Sequence, residues 1–126
     1  MRAADTNVVL RTIARDDVGQ LPAAEAFIAN GAWVSHVVLA EVVWVLESRY
    51  GRDHAEITTI VEMLLQHEQF ALEDERVVAA ALQTYRQHSS SDFNDCLILE
   101  IARKAGHLPL GTFDKNLAKI EGAKRL

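Results

Sequence analysis

A parallel β-sheet covered by helices on both faces is the fold class predicted for this chain of 126 residues. Short apolar segments alternate along it with stretches whose apolar residues recur at helical spacing, the pattern of an α/β protein. The length suits one domain, spanning residues 1–126, which buries roughly two-thirds of its unfolded surface in one core. Hydrophobic residues make up 49% and charged residues 25%, a balance expected of a soluble globular domain.

The elements follow in order. Ala3 to Leu10 reads as a short opening strand running into a turn, with Asp5 near its carboxyl end. Pro22 followed by Ala23, Ala24, Ala26, Phe27 and Ile28 predicts a helix with proline in its first turn, stopped at Asn30-Gly31. Ala32 to Ser35 is a second strand, and Ser35 caps a helix that runs to Tyr50 before Gly51. Helical spacing from Ala55 to His67 precedes a third strand at Phe70-Ala71-Leu72. Glu73 or Asp74 starts a helix over about Val77 to Gln87, and the serines Ser89, Ser90 and Ser91 offer hydroxyl caps for another through Ala105, ended by Gly106. Leu108 to Thr112 is a fourth strand, and the tail from Asn116 holds a short helix and an edge strand near Lys124-Arg125-Leu126.

Several function classes are disfavoured. A net charge of −5 argues against a protein that coats nucleic acid by neutralising phosphates, although bound cations would bring it near neutrality. The single cysteine, Cys96, allows no internal disulfide and no thiolate cage, which suits a reducing compartment. Neither a basic-then-apolar leader nor an apolar run of spanning length is present, so a cytoplasmic location without membrane attachment is expected. His36, His54, His67, His88 and His107 lack zinc-ligand spacing, and Cys96 has no evident acid–base partner. The glycines form no nucleotide-binding loop. Trp33 and Trp44 lie in apolar contexts and are expected in the core.

Ligands of open α/β sheets bind beyond the carboxyl ends of the strands, where Asp5 and Asp114 are expected. Glu41 lies between Val37-Val38-Leu39-Ala40 and Val42-Val43-Trp44-Val45-Leu46, so its carboxylate is expected to be buried and to need a cation. That cation is a metal or, more plainly, an arginine such as Arg11 or Arg49. Asp92 and Asp95 stand three apart at the start of a helix, near its positive end. Capping accounts for Asp92, while Asp95, just before Cys96-Leu97-Ile98-Leu99, is expected to face a site. Thr112 can hold Asp114 or a ligand. Four carboxylates brought together repel unless a cation compensates, and an all-oxygen donor set favours Mg²⁺ or Mn²⁺. Such ions serve phosphodiester hydrolysis.

The ordered set Ala4-Asp5-Thr6-Asn7, Glu41 within Leu39 to Leu46, Asp92-Phe93-Asn94-Asp95-Cys96-Leu97-Ile98 and Thr112-Phe113-Asp114 resembles the PIN-domain ribonucleases, specifically the VapC toxins of bacterial toxin–antitoxin pairs. The resemblance covers nearly the whole chain. It implies a three-layer α/β/α sandwich with a central, mainly parallel sheet, and a pocket of Asp5, Glu41, Asp95 and Asp114 that binds Mg²⁺ or Mn²⁺ and cuts RNA endonucleolytically. Asn7 and Thr112 match supporting polar positions, and Asp92 is a further supporting candidate. The resemblance also implies a homodimer and inhibition by a VapB-like antitoxin. Cys96 stands where alanine is commoner. Among the basic residues Arg11, Arg15, Arg49, Lys115 and Lys119, Arg11 and Lys115 are the preferred contacts for RNA.

Two rival readings remain. A Mg²⁺-dependent receiver domain would use Asp53 and Lys104 as phosphoacceptor and lysine, but Asp53 follows a helix rather than a buried strand. The other is a non-catalytic PIN-like module that binds RNA or protein, against which the four acids count.

Overall fold

The computed structural model describes residues 1–126. The order is β1 (Arg2–Ala3), α1 (Thr6–Ala14), α2 (Leu21–Ile28), β2 (Ala32–Val34), α3 (His36–Ser48), α4 (His54–Gln66), β3 (Phe70–Leu72), α5 (Glu75–Gln87), α6 (Phe93–Ala105) and β4 (Leu110–Thr112). A 3-10 turn at Leu117–Lys119 and β5 (Ala123–Arg125) complete the chain. Every ladder is parallel, and helices enclose the strands, as an α/β/α sandwich requires.

The strands form two sheets. One has the order β1-β2-β3, with Ala32 beside Arg2 and Phe70 beside Ala32, and the other pairs β4 with β5. Single bonds carry the pairing past the short ladders, from Ala4 N–H to the Trp33 carbonyl at 2.9 Å and from Glu73 N–H to the Val34 carbonyl at 2.8 Å. One cluster of 27 buried hydrophobic residues joins the layers. It includes Val9 and Leu10 of α1, Val34 of β2, Leu39, Val42, Val43 and Leu46 of α3, and Phe93 and Leu99 of α6.

Local chemistry explains most boundaries. The Ser35 hydroxyl accepts the Val38 N–H at 3.1 Å and opens α3. Asp53 and Glu56 form a reciprocal capping box at the start of α4. Asp74 opens α5 by accepting from Arg76 and Val77. Gly106 closes α6 at φ +82°, a left-handed conformation that glycine adopts without a side-chain clash.

Three expectations are corrected. The opening strand stops at Ala3, because Asp5 accepts the Val8 N–H at 3.2 Å and turns the chain into α1. Val9, Leu10 and Ile13 then meet the core at helical spacing, so packing overrides the β preference of the valines. The serine hydroxyls do not cap α6, whose N-cap position is Asp92, the other residue for which capping was expected. The third concerns α3, which is not apolar on every side in its surroundings: Leu39, Val42, Val43, Val45 and Leu46 face inward, whereas Val37, Glu41, Trp44 and Ser48 lie on an open face.

Candidate functional site

The four foremost carboxylates come from four parts of the fold. Asp5 follows β1 as the N-cap of α1, Glu41 projects from the second turn of α3, Asp95 lies in the first turn of α6, and Asp114 follows β4. One bond and one shared cleft relate the carriers. Asn94 donates from its side-chain amide to the Ala40 carbonyl at 2.9 Å, tying the head of α6 to the residue beside Glu41. Thr6 and Asn7, just after Asp5, line one cleft with Glu41, Trp44 and Arg49 of α3 and its C-cap. Thus the starts of α1 and α6 both approach the Glu41 region of α3.

Glu41 is exposed. The expectation of a buried carboxylate fails because Val37 and Trp44, four before and three after it, also face outward, at 76% and 58% exposure. Nor does Glu41 take an arginine: Arg11 bonds Gln20 at 2.8 Å and Asp16 at 3.1 Å, and Arg49 enters no ion pair. Trp33, at 39% exposure, joins Trp44 in departing from the expected core.

The Asp95 carboxyl is held above its usual range by burial first, then by the charges of Asp92 and Asp114. These three aspartates therefore share one field. Asp114 itself accepts the Leu117 N–H at 2.8 Å, and its own N–H donates to the Thr112 hydroxyl at 3.0 Å, so Thr112 fixes the backbone beneath it. No three His, Cys, Asp or Glu side chains stand close enough to hold a metal ion. Asp5 and Asp114 are turned to backbone N–H groups instead. The donor chemistry nevertheless fits a hard divalent cation: the groups are all oxygen donors, and the charges of Asp92 and Asp114, which add to burial in lifting Asp95, are of the sign that a cation relieves.

Sequence reasoning missed Glu47. Its carboxyl is pushed up to about 6, chiefly by burial and further by Asp92, which lies against it. Asp92 occupies the N-cap position of α6 but makes no capping bond with its side chain, so capping does not account for it. The signal was periodicity: Glu47 follows Val43 by four residues and falls on the side of α3 that meets α6. The pair also bears on Tyr85, whose hydroxyl is pushed up to about 12 by burial first and then by Glu47 and Asp92.

The remaining reactive groups are structural. Burial, ahead of Asp95 and Asp92, pushes the Cys96 thiol up to about 12, which keeps it protonated and a poor nucleophile. His54 stacks on Tyr85 with ring centres 3.9 Å apart, its Nε2 lying 2.9 Å from the Tyr85 carbonyl. Glu100, buried, is satisfied by Arg103 at 3.0 Å and Thr84 at 3.2 Å. Asp53 caps α4 and Lys104 pairs with Asp74, so the two residues that a receiver domain would use are committed to separate structural roles. Lys115 is exposed beside Asp114.

No helix is long and apolar enough to cross a membrane. A family model described as PIN domain matches residues 3–123. No curated protein and no solved structure matches the chain.

Proposed function

Since the chain belongs to the PIN domain family, whose members are in general nucleases, we propose that it is a metal-dependent endoribonuclease and the toxin of a VapC-type toxin–antitoxin pair. The observation that carries this reading is the match of the PIN domain model to residues 3–123, beside which Asp92, Asp95 and Asp114 act on one another at the head of a helix that Asn94 ties to the Glu41 region. Negative charge gathered in this way is useful where a cation binds and wasteful elsewhere.

Asp5, Glu41, Asp95 and Asp114 hold Mg²⁺ or Mn²⁺ in this reading. A bound divalent cation supplies an activated water and stabilises charge on the phosphate oxygens. Thr112 keeps the Asp114 backbone in place, Asn7 is a further polar group two residues after Asp5, and Asp92 adds negative charge beside Asp95. Lys115 and Arg11 meet the phosphate backbone, although Arg11 must share its guanidinium with Asp16 and Gln20. A VapB-like antitoxin, a homodimer and a cytoplasmic location complete the proposal. The second reading, a non-catalytic binding module, draws on the capping bonds that turn Asp5 and Asp114 toward backbone N–H groups.

Purified protein incubated with a pool of structured RNAs separates the two. Cleavage with Mg²⁺ or Mn²⁺ is expected, abolished by EDTA and reduced at least about 100-fold in folded Asp5→Asn, Glu41→Gln and Asp95→Asn variants, the loss typical when transition-state charge stabilisation is removed. RNA binding without cleavage under every metal condition would favour the binding module.

A further inference from the structure

Trp44 is the largest side chain on the open face of α3, and nothing in the chain covers it. An indole exposed at 58% leaves part of its ring free to stack on a ligand. It does not stand on a bare apolar patch. Trp44 lines a cleft of about 240 Å³ together with Thr6, Asn7, Glu41, Arg49 and Tyr50. That volume lies below the ~300–1,000 Å³ of pockets that enclose a whole drug-sized ligand, so the cleft suits one part of a longer molecule.

Charge narrows the ligand. Arg49 is exposed, enters none of the ion pairs of the fold and stands at the same cleft as the indole. Arg11, at the same wall, is already neutralised by Asp16. An uncommitted guanidinium beside an open aromatic face, with polar Thr6 and Asn7 opposite, is the combination that binds a nucleotide: phosphate on the arginine, base on the indole. A nucleotide in a duplex has no free face to offer, which selects an unpaired one.

We propose that Trp44 and Arg49 form a subsite next to the Glu41 end of the carboxylate site that holds one unpaired RNA nucleotide, its base on the Trp44 indole and its phosphate on the Arg49 guanidinium. The subsite extends the nuclease reading and rests on it for its catalytic consequence, though not for binding. Trp44 and Arg49 position the substrate and take no part in bond breaking.

The test uses the Asp95→Asn protein, which is expected to bind RNA without cutting it, carrying Trp33→Phe so that Trp44 is the sole indole. Titration with an unstructured twelve-nucleotide oligoadenylate should quench its fluorescence, and a fully paired duplex of the same length should not. In the otherwise unaltered enzyme, Trp44→Ala should raise KM for a hairpin RNA about tenfold with kcat within about threefold, Trp44→Phe should recover much of the loss, and Arg49→Ala should lower the salt dependence of binding by about one ion. An enzyme that cuts RNA with KM unchanged in both Trp44 variants overturns the subsite and leaves the nuclease intact. Quenching by the oligonucleotide in a protein that never cuts RNA keeps the subsite and removes the nuclease reading. Quenching that follows protein concentration instead of RNA assigns the indole to a second copy of the chain and overturns the proposal.

Discussion

Glu47 keeps its proton to about pH 6 when folded, against an ordinary value of 4.5. The folded value is raised, so the folded state binds the proton more tightly than the unfolded chain; the associated stability is complete below about pH 4.5 and is lost as the pH rises through about 6. Glu47→Gln, which cannot ionise, should therefore exceed the parent in stability by ~1 kcal/mol at about pH 8, less than the full shift because the carboxyl keeps some contact with water. Thermal melts in EDTA should show the two proteins converging at about pH 4.5, and a difference independent of pH would contradict the burial of this carboxyl. At this scale the sequence was readable in identity and misleading in environment. Asp95 and Asp114 were recognisable from the apolar segments beside them, and their charges do act on each other. Glu41 and Trp44 were expected inside because their neighbours are apolar, yet an apolar helix residue is buried only where another element covers it, and no element covers that face of α3. Glu47 was overlooked because its surroundings depend on α6, about fifty residues away in sequence.

Elements were easier to read than environments. The strand at Phe70–Leu72 and the helix closed by Gly106 stand where spacing and end signals place them. The opening segment was not legible, since Val8-Val9-Leu10 suits either a strand or a helix and the choice is made by the Asp5 cap and the packing of α1 on α2 and α3. Caps are testable at this scale. Asp53→Ala removes the oxygen that opens α4 and should cost ~1 kcal/mol in urea unfolding, with RNA cleavage unchanged. Loss of activity without loss of stability would instead give Asp53 a part in the chemistry. A second junction joins α5, α6 and the loop before β5: Glu100 is held by Thr84 and Arg103, and Arg103 also donates to the Glu121 carbonyl at 2.7 Å. Arg103→Ala leaves a buried carboxylate without its cation and should destabilise by ~2 kcal/mol, below the 3–5 kcal/mol of a fully buried pair because Arg103 is itself partly exposed. A calorimetric change under ~0.5 kcal/mol would show that water replaces the arginine there.

In the molecule as a whole, alternating short strands and helices disclosed an α/β fold with parallel strands, but not the division of the strands into a sheet of three and a pair. That division rests on pairings between distant segments, which local spacing does not encode. The strands nevertheless deliver Asp5 and Asp114 just past their carboxyl ends, while the Asn94 bond to the Ala40 carbonyl ties the head of α6, which carries Asp95, to the turn of α3 that carries Glu41. Such an arrangement is suited to hydrolysis by a water held at a cation rather than by the ribose of the substrate. The measurement that decides this is the fate of an RNA whose single cleavage site, mapped in the pool, carries a 2′-deoxy nucleotide on its 5′ side. With Mn²⁺ the protein should cut it at a rate within about threefold of the all-ribose strand, leave no 2′,3′-cyclic phosphate, and stop in the Asp95→Asn variant. Cyclic phosphate ends, or a deoxy substrate that resists cleavage, would mean that the neighbouring hydroxyl is the nucleophile and that the carboxylates do not act through a metal-held water.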